Sequence, residues 1–153
     1  MKENVIIIDP AKSNKSFKAC YVGCLVLTAQ DKILLQQRPQ YFTTYPGYVC
    51  EFGGKIEQGE QPIDALGREL KEELGAQVNA EDVVSFGAIT EPMSKYSELI
   101  YTFFWHDKFA TITGCYEGMA SYFNNAAQIL KLPNITDGLR WLLSQCQSQD
   151  LIK

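Results

Sequence analysis

The sequence holds a single histidine, His106, in 153 residues. No Ser or Cys motif accompanies it, so no Ser-His-Asp or Cys-His triad can be assembled. Its place just after the apolar run Tyr101 to Trp105 reads as an ordinary strand end. The same shortage disfavours Cys50 as a nucleophile, because a thiol needs a nearby base or a lowered pKa to react. The five cysteines (Cys20, Cys24, Cys50, Cys115 and Cys146) are odd in number and form no C-x-x-C pair. Neither a disulfide framework nor a zinc site is suggested, and buried free thiols in a reducing compartment are expected. Long apolar runs are also missing. Tyr21 to Leu27 falls far short of the roughly 20 residues that span a bilayer. Val5 to Ile8, followed by Asp9, is too short for a signal-peptide core, so a cytoplasmic protein without a membrane partner is expected. There is no surplus of positive charge either: 14 Lys and Arg against 18 Asp and Glu leave a net charge of −4. That argues against a nucleic-acid polymer as partner. It leaves open an anionic small substrate, provided a cation mediates.

What is present describes a globular chain, 46% apolar and 21% charged, with a length that suits one domain over residues 1–153. Residues 4–8 suggest a short strand. The β-rich stretch 17–29, a Gln30-Asp31 turn and residues 32–37 read as a hairpin. Residues 39–50, rich in Tyr, Thr, Pro and Gly, suggest a loop. Pro62 and Gly75 mark the start and end of a helix over 62–74. Strands are expected over 83–90 and 99–106, and helices over 125–130 and 135–146, the last burying Leu139, Leu142, Leu143 and Cys146. Strands flanked by a few helices point to an α/β sandwich with a mixed sheet.

The helix over 62–74 carries the chemistry. At about 100° per residue, Glu69, Glu72 and Glu73 fall within roughly a 100° arc, beside the core stripe of Ile63, Leu66, Leu70 and Leu74. A solvated face normally sets Lys or Arg three or four residues from Glu, whereas Glu69 has Glu72 and Glu73 at those spacings. Such like-charge pairs destabilise an isolated helix by about 0.2–0.5 kcal/mol each. A divalent cation reverses that sign, and hard oxygen ligands suit Mg²⁺ or Mn²⁺. Arg68, four residues before Glu72, is placed to hold that carboxylate.

Gly54, five residues, Glu60, seven residues, then Arg68-Glu69-Leu70-x-Glu72-Glu73-x-Gly75 resembles the Nudix box over 54–76. Every fixed position matches; the one departure is a small Ala76 where the pattern has a bulky aliphatic. The resemblance implies an α/β/α sandwich with a mixed sheet, in which the box forms a loop–helix–loop. It also implies metal-assisted hydrolysis of a nucleoside diphosphate linked to another group. In that pattern Glu69, Glu72, Glu73 and the Gly54 carbonyl hold Mg²⁺ or Mn²⁺, Arg68 orients the acids, Glu60 braces the motif, and Gly53 and Gly75 serve its backbone.

The likeness extends beyond the box. Ile33 to Arg38 is similar to the preceding strand in members that act on nucleoside triphosphates, which makes Arg38 either a phosphate ligand or a surface charge. Glu117-Gly118 followed by Tyr122-Phe123 resembles the segment of the 8-oxo-dGTP hydrolases that carries a further acid. Glu117 is therefore the candidate general base, with Glu69 next, or else a turn carboxylate ahead of a strand. Asn134 stands either where relatives present an amide to the base or at the N-cap of the last helix. Tyr41, Phe42, Tyr45, Tyr48, Phe52 and Tyr122 offer stacking surface, some of it core. These features favour an oxidised or noncanonical nucleoside triphosphate as substrate. Pro92, 16 residues past Ala76, resembles a proline of the ADP-ribose branch and supports ADP-ribose or another nucleotide sugar as the alternative. A nucleotide-binding regulator without activity is the alternative of another class, and the intact set of acids argues against it. A homodimer is compatible with the sequence.

Overall fold

In the computed structural model, which describes residues 4–12 and 16–153, the chain runs through β1 (Ile6–Ile8), β2 (Ala19–Leu27), β3 (Ile33–Gln37), β4 (Val49–Cys50), β5 (Phe52–Lys55), α1 (Pro62–Leu74), β6 (Val83–Thr90), β7 (Glu98–His106), β8 (Met119–Phe123), α2 (Ala126–Leu130) and α3 (Asp137–Ser148). The strands form one mixed sheet in the order β1-β6-β7-β2-β3-β4, with β5 added to β2 and β8 to β3. Strand β2 lies parallel to β7 over its whole length, from Ala19 opposite Glu98 to Leu27 opposite His106. On its other side it divides its partners: Tyr21 to Cys24 pair antiparallel with β5, and Val26 and Leu27 with β3. The sheet forks there, and the box begins on one tine.

Strand alternation sends successive side chains to opposite faces. Cys24, Val26, Leu34, Phe103 and Trp105 pack on one face with Leu66, Leu70 and Leu74 of α1. Leu25, Leu27, Ile33, Leu35 and Phe104 pack on the other with Ile129 of α2 and Leu139, Leu142, Leu143 and Cys146 of α3. Helices on both faces of a mixed sheet make the α/β/α sandwich. Each fully buried leucine contributes about 1.5–3 kcal/mol relative to leaving it exposed. Ala76 is buried in the α1 cluster, so the small residue at the last box position still fills a core site.

Helix α1 starts with Pro62 in its first turn and ends at Gly75, whose φ of 64° is left-handed. A Cβ there would lie 1.9 Å from Thr113 Oγ1, so glycine is required twice over. Three expectations shift. The Gly-rich entry to the box is a strand rather than a loop, because Gly53 and Gly54 pair with Gly23 and Val22. The 39–50 segment ends in a strand as well, with Val49 and Cys50 paired to Gln37 and Gln36. The last helix begins at Asp137, because Thr136 is extended and its Oγ1 accepts the Leu139 N–H at 3.1 Å. Thr136 is therefore the N-cap, and Asn134 is not.

Candidate active site

Arg68 ties the box together. Its guanidinium grips Glu60 in a two-point contact, Nε to Oε2 at 2.8 Å and Nη2 to Oε1 at 2.9 Å. It also donates to the Lys55 carbonyl at 3.0 Å and to Glu69 Oε1 at 2.9 Å, and lies 3.6 Å from Glu72 Oε1. One fork thus fastens the turn before α1 to the acidic face of the helix. The Arg68 hydrogen bonds, helped by the Glu57 N–H, hold the Glu60 carboxyl down at about 2. Glu60 is therefore a permanent anion that braces Arg68.

The three box acids differ sharply in setting. Glu73 is 2% exposed, and its Oε1 accepts the Gly53 N–H at 3.0 Å. Burial first, then repulsion from Glu117 and Glu69, pushes its carboxyl up to about 9. Burial also raises Glu69, against the pull of Arg68. Glu72 stays largely exposed. Gly54 faces Glu69: a Cβ on it would stand 2.4 Å from that carboxylate. The glycine therefore lets the backbone and the acid share one corner.

Among the described residues no three His, Cys, Asp or Glu side chains converge on one point; Glu73 is turned to Gly53 and Glu69 to Arg68. The donor set nevertheless fits a hard divalent cation. Its groups are carboxylate oxygens, and Glu117, Glu69 and Glu72 lie close enough to raise the Glu73 carboxyl.

This setting fixes a dependence of stability on pH. Between the ordinary value of 4.5 and about 9, folded Glu73 holds a proton that the unfolded chain has released. Its contribution is full below the lower value and is lost as pH rises through the upper one. Glu91, raised to about 7, acts in the same direction. Thermal melts of chelator-treated protein should therefore show the midpoint falling from about pH 5 to about pH 9, with added Mg²⁺ restoring most at the alkaline end. A midpoint that rises over that window, or a Mg²⁺ effect independent of pH, would contradict this electrostatic picture.

Beside the box lies a cleft of about 450 Å³ whose lining includes Gly53, Gly54, Gln36, Arg38 and Glu117. Glu117 sits in the turn before β8, its side chain 49% exposed and 3.8 Å from Arg38 Nη1. Arg38 is fixed by Thr44, through its carbonyl and hydroxyl at 2.7 Å each, and by the Phe42 ring, 4.7 Å from the guanidinium carbon. Gln36 joins the two: its Nε2 donates to the Glu117 carbonyl at 2.8 Å, and its Oε1 accepts from Arg38 at 2.9 Å. The structure therefore gathers Gly54, Arg38 and Glu117 on one cleft beside the box acids.

Asn134 lies elsewhere. Its side-chain amide donates to the Gly47 carbonyl at 2.6 Å and its backbone carbonyl accepts the Val49 N–H at 3.0 Å, so it braces the end of the 39–50 segment. His106 faces Asp31 at 3.6 Å at the far end of β7. Burial pushes the Cys50 thiol up to about 12, the opposite of an activated nucleophile. Of the six aromatics, Tyr45 lines the cleft, Phe52 is core, and Tyr41 and Tyr122 are exposed. Sequence reasoning missed Gln36, Glu51 and Glu91 on the cleft wall. Glu51 and Glu91 are single acids with no spacing to signal them, and Gln36 stands inside the Ile33 to Arg38 run with nothing to single it out from Gln37.

Residues 19–124 match the NUDIX domain, and with the box geometry above the chain belongs to the Nudix family, as a hydrolase acting on pyrophosphate bonds. Members act on small nucleotide substrates and generally use a divalent cation such as Mg²⁺ or Mn²⁺. Comparison with curated proteins gives no match. Among solved structures, a mutT/nudix family protein from Listeria innocua superposes with a TM-score of 0.70 at 19% identity, over 90% of this chain and 99% of that one. The MutT protein from Methanosarcina mazei Go1 gives 0.67 at 19% identity, over 90% and 99%. A NUDIX family hydrolase from Clostridium perfringens gives 0.62 at 18%, over 89% and 99%. At these identities the likeness shows the fold. Among the described residues no helix is long and apolar enough to cross a membrane.

Proposed function

We propose that the protein, a single Nudix domain over residues 1–153, is a cytoplasmic Mg²⁺- or Mn²⁺-dependent pyrophosphohydrolase. Its substrate is a nucleoside triphosphate, oxidised or otherwise noncanonical, and its products are the monophosphate and pyrophosphate. The observation that carries this reading is the cleft that joins the box at Gly54 to a guanidinium, Arg38, and to the half-exposed acid paired with it, Glu117.

Glu69, Glu72, Glu73 and the Gly54 carbonyl would hold the cation. When bound, it supplies charge neutralisation to the phosphates and acidifies water. Arg68 holds Glu69 by a hydrogen bond and lies 3.6 Å from Glu72, while Glu60 fixes Arg68. Arg38 meets the phosphate chain, its fork already oriented by Thr44 and Gln36. Glu117 takes the proton of the attacking water as oxygen bonds to an internal phosphorus; the bridging P–O bond breaks and its electrons leave with pyrophosphate.

A second substrate class is favoured by one feature: Pro92 opens a short helical turn whose Met93 and Ser94 line the same cleft, which suits ADP-ribose or a related conjugate. A hydrolysis screen with Mg²⁺ over normal and damaged nucleoside triphosphates, ADP-ribose and other conjugates decides between them. Triphosphates should give the highest kcat/KM. AMP formed from ADP-ribose with no triphosphate turnover would replace the reading with the second.

A further inference from the structure

Strand β3 opens on Ile33, Leu34 and Leu35, all buried, and its next residue is an amide buried as deeply, Gln36 at 2% exposed. Leu34 packs in the α1 cluster, and strand alternation puts Gln36 next in the same row. An aliphatic side chain is the ordinary occupant of such a position, because an amide taken out of water is costly unless its hydrogen bonds are replaced. Gln36 has both ends paired, and both partners belong to the candidate site. Its Nε2 donates to the Glu117 carbonyl at 2.8 Å, and its Oε1 accepts from Arg38 Nη1 at 2.9 Å. The neighbouring Gln37 differs: its amide donates to the Gly47 carbonyl at 3.1 Å and serves the 39–50 segment.

The turn that carries Glu117 is held from two sides. Toward the box, the Tyr116 N–H donates to the Glu73 backbone carbonyl at 2.7 Å and ties the turn to the end of α1. Toward Arg38, the Gln36 amide holds the Glu117 carbonyl, which also accepts from Cys115 Sγ at 3.3 Å. Gly118 permits the close approach. Its φ is 67°, and a Cβ there would stand 2.9 Å from Gln36 Cγ and 3.0 Å from the Gln37 carbonyl oxygen. The Glu117 carboxylate itself is half exposed and 3.8 Å from Arg38. An exposed ion pair of that length fixes neither partner. The buried amide, bonded at both ends, fixes both.

Resting on the roles given above to Glu117 and Arg38, we propose that Gln36 is a positioning residue that sets the general base and the phosphate ligand at a fixed separation. It acts through those two groups and not on the reacting atoms. Arg38 holds the phosphate chain, Glu117 takes the proton of the attacking water, and the Gln36 amide makes one unit of the two. Proton transfer requires the base within hydrogen-bond reach of that water. A displacement of about 1 Å at such a point costs on the order of 10²-fold in rate. A side chain that keeps the Glu117 turn in register with Arg38 therefore controls kcat from a buried position.

The test is a double-mutant cycle in kcat and KM, run with Mg²⁺ on whichever substrate the screen above turns over best. Its members are the wild type, Gln36→Met, Glu117→Gln and the double variant, with Gln36→Glu beside them. Methionine keeps the length of the side chain and removes both hydrogen bonds. Gln36→Met should lower kcat by about 10- to 100-fold and raise KM, as Arg38 loses a partner. Gln36→Glu keeps an acceptor for Arg38 and drops the donor to the Glu117 carbonyl, so kcat should stay low while KM returns toward the wild-type value. In the Glu117→Gln background, Gln36→Met should change kcat by less than about twofold, because its effect passes through a base already removed. The proposal is overturned by kcat within about twofold of wild type in both Gln36 variants, or by an equal Gln36→Met loss with and without the Glu117 carboxylate. A loss of less than roughly tenfold from Glu117→Gln alone would instead defeat the base assignment, and this proposal with it. If Gln36→Met does not fold, Gln36→Glu takes its place in the cycle, with the same two kcat outcomes deciding.

Discussion

Glu73→Gln lowers Mg²⁺-dependent kcat/KM by at least about 10²-fold, since even residues that only support a metal ligand typically cost 10–100-fold. The same change raises the stability of the metal-free protein at neutral pH and above. The two effects have one cause. Glu73 is an anion only at the expense of burial and of repulsion from Glu117 and Glu69, and its carboxyl is pushed up to about 9 as a result. A bound cation would turn that unfavourable charge into a ligand. Glutamine keeps the acceptor for the Gly53 N–H and removes the charge, so the fold gains and the site loses. Turnover, Mg²⁺ titration and thermal melts at two pH values measure both sides. Near-normal turnover with unchanged Mg²⁺ dependence would remove Glu73 from the site.

The second large effect belongs to Glu117→Gln, which should cost about 10²–10⁴-fold in kcat with a smaller change in KM, the range for a positioned general base. Little stability is at stake: the ion pair to Arg38 is 3.8 Å long and the Glu117 side chain is half exposed, a setting worth about 0–1 kcal/mol. The Gln36 amide holds the Glu117 backbone carbonyl, not its carboxylate, so the turn keeps its place when the acid becomes an amide. The limb of the pH–rate profile that reports ionisation of the base should vanish. A loss below tenfold would pass the proton to another group, with Glu69 next to be tested.

Much of this site was legible in the sequence because its parts are local. Pro62, Gly75 and the spacing of Leu66, Leu70 and Leu74 fix a helix and its buried stripe. The glutamates then fall beside that stripe, and the box supplies Gly54, Glu60 and Arg68 at set intervals. Their unequal burial was not legible. It depends on β5 forking from β2 and carrying the Gly53 N–H under Glu73. The resemblance implies a loop at the entry to the box, yet Gly53 adopts a φ of 152° in a strand where a Cβ would stand 1.9 Å from the Val22 carbonyl oxygen. Tertiary pairing overrides local propensity there. Gln36, Glu51 and Glu91 come from three separate segments, and only the sheet order brings them to one wall. Asn134 shows the converse: a position suggested by likeness whose amide is taken up by Gly47.

The proposed reaction is attack at an internal phosphorus, with Glu117 on the same cleft as Gly54 and with Glu69, Glu72, Glu73 and the Gly54 carbonyl as the groups that would hold a cation. A leaving group that carries its own phosphate is the one such an arrangement stabilises. Chromatography of a Mg²⁺ reaction with the best triphosphate, run without added pyrophosphatase, reads this directly. Nucleoside monophosphate and pyrophosphate are expected in equal amounts from the earliest time points; nucleoside diphosphate with orthophosphate as the primary products would contradict attack at the internal phosphorus.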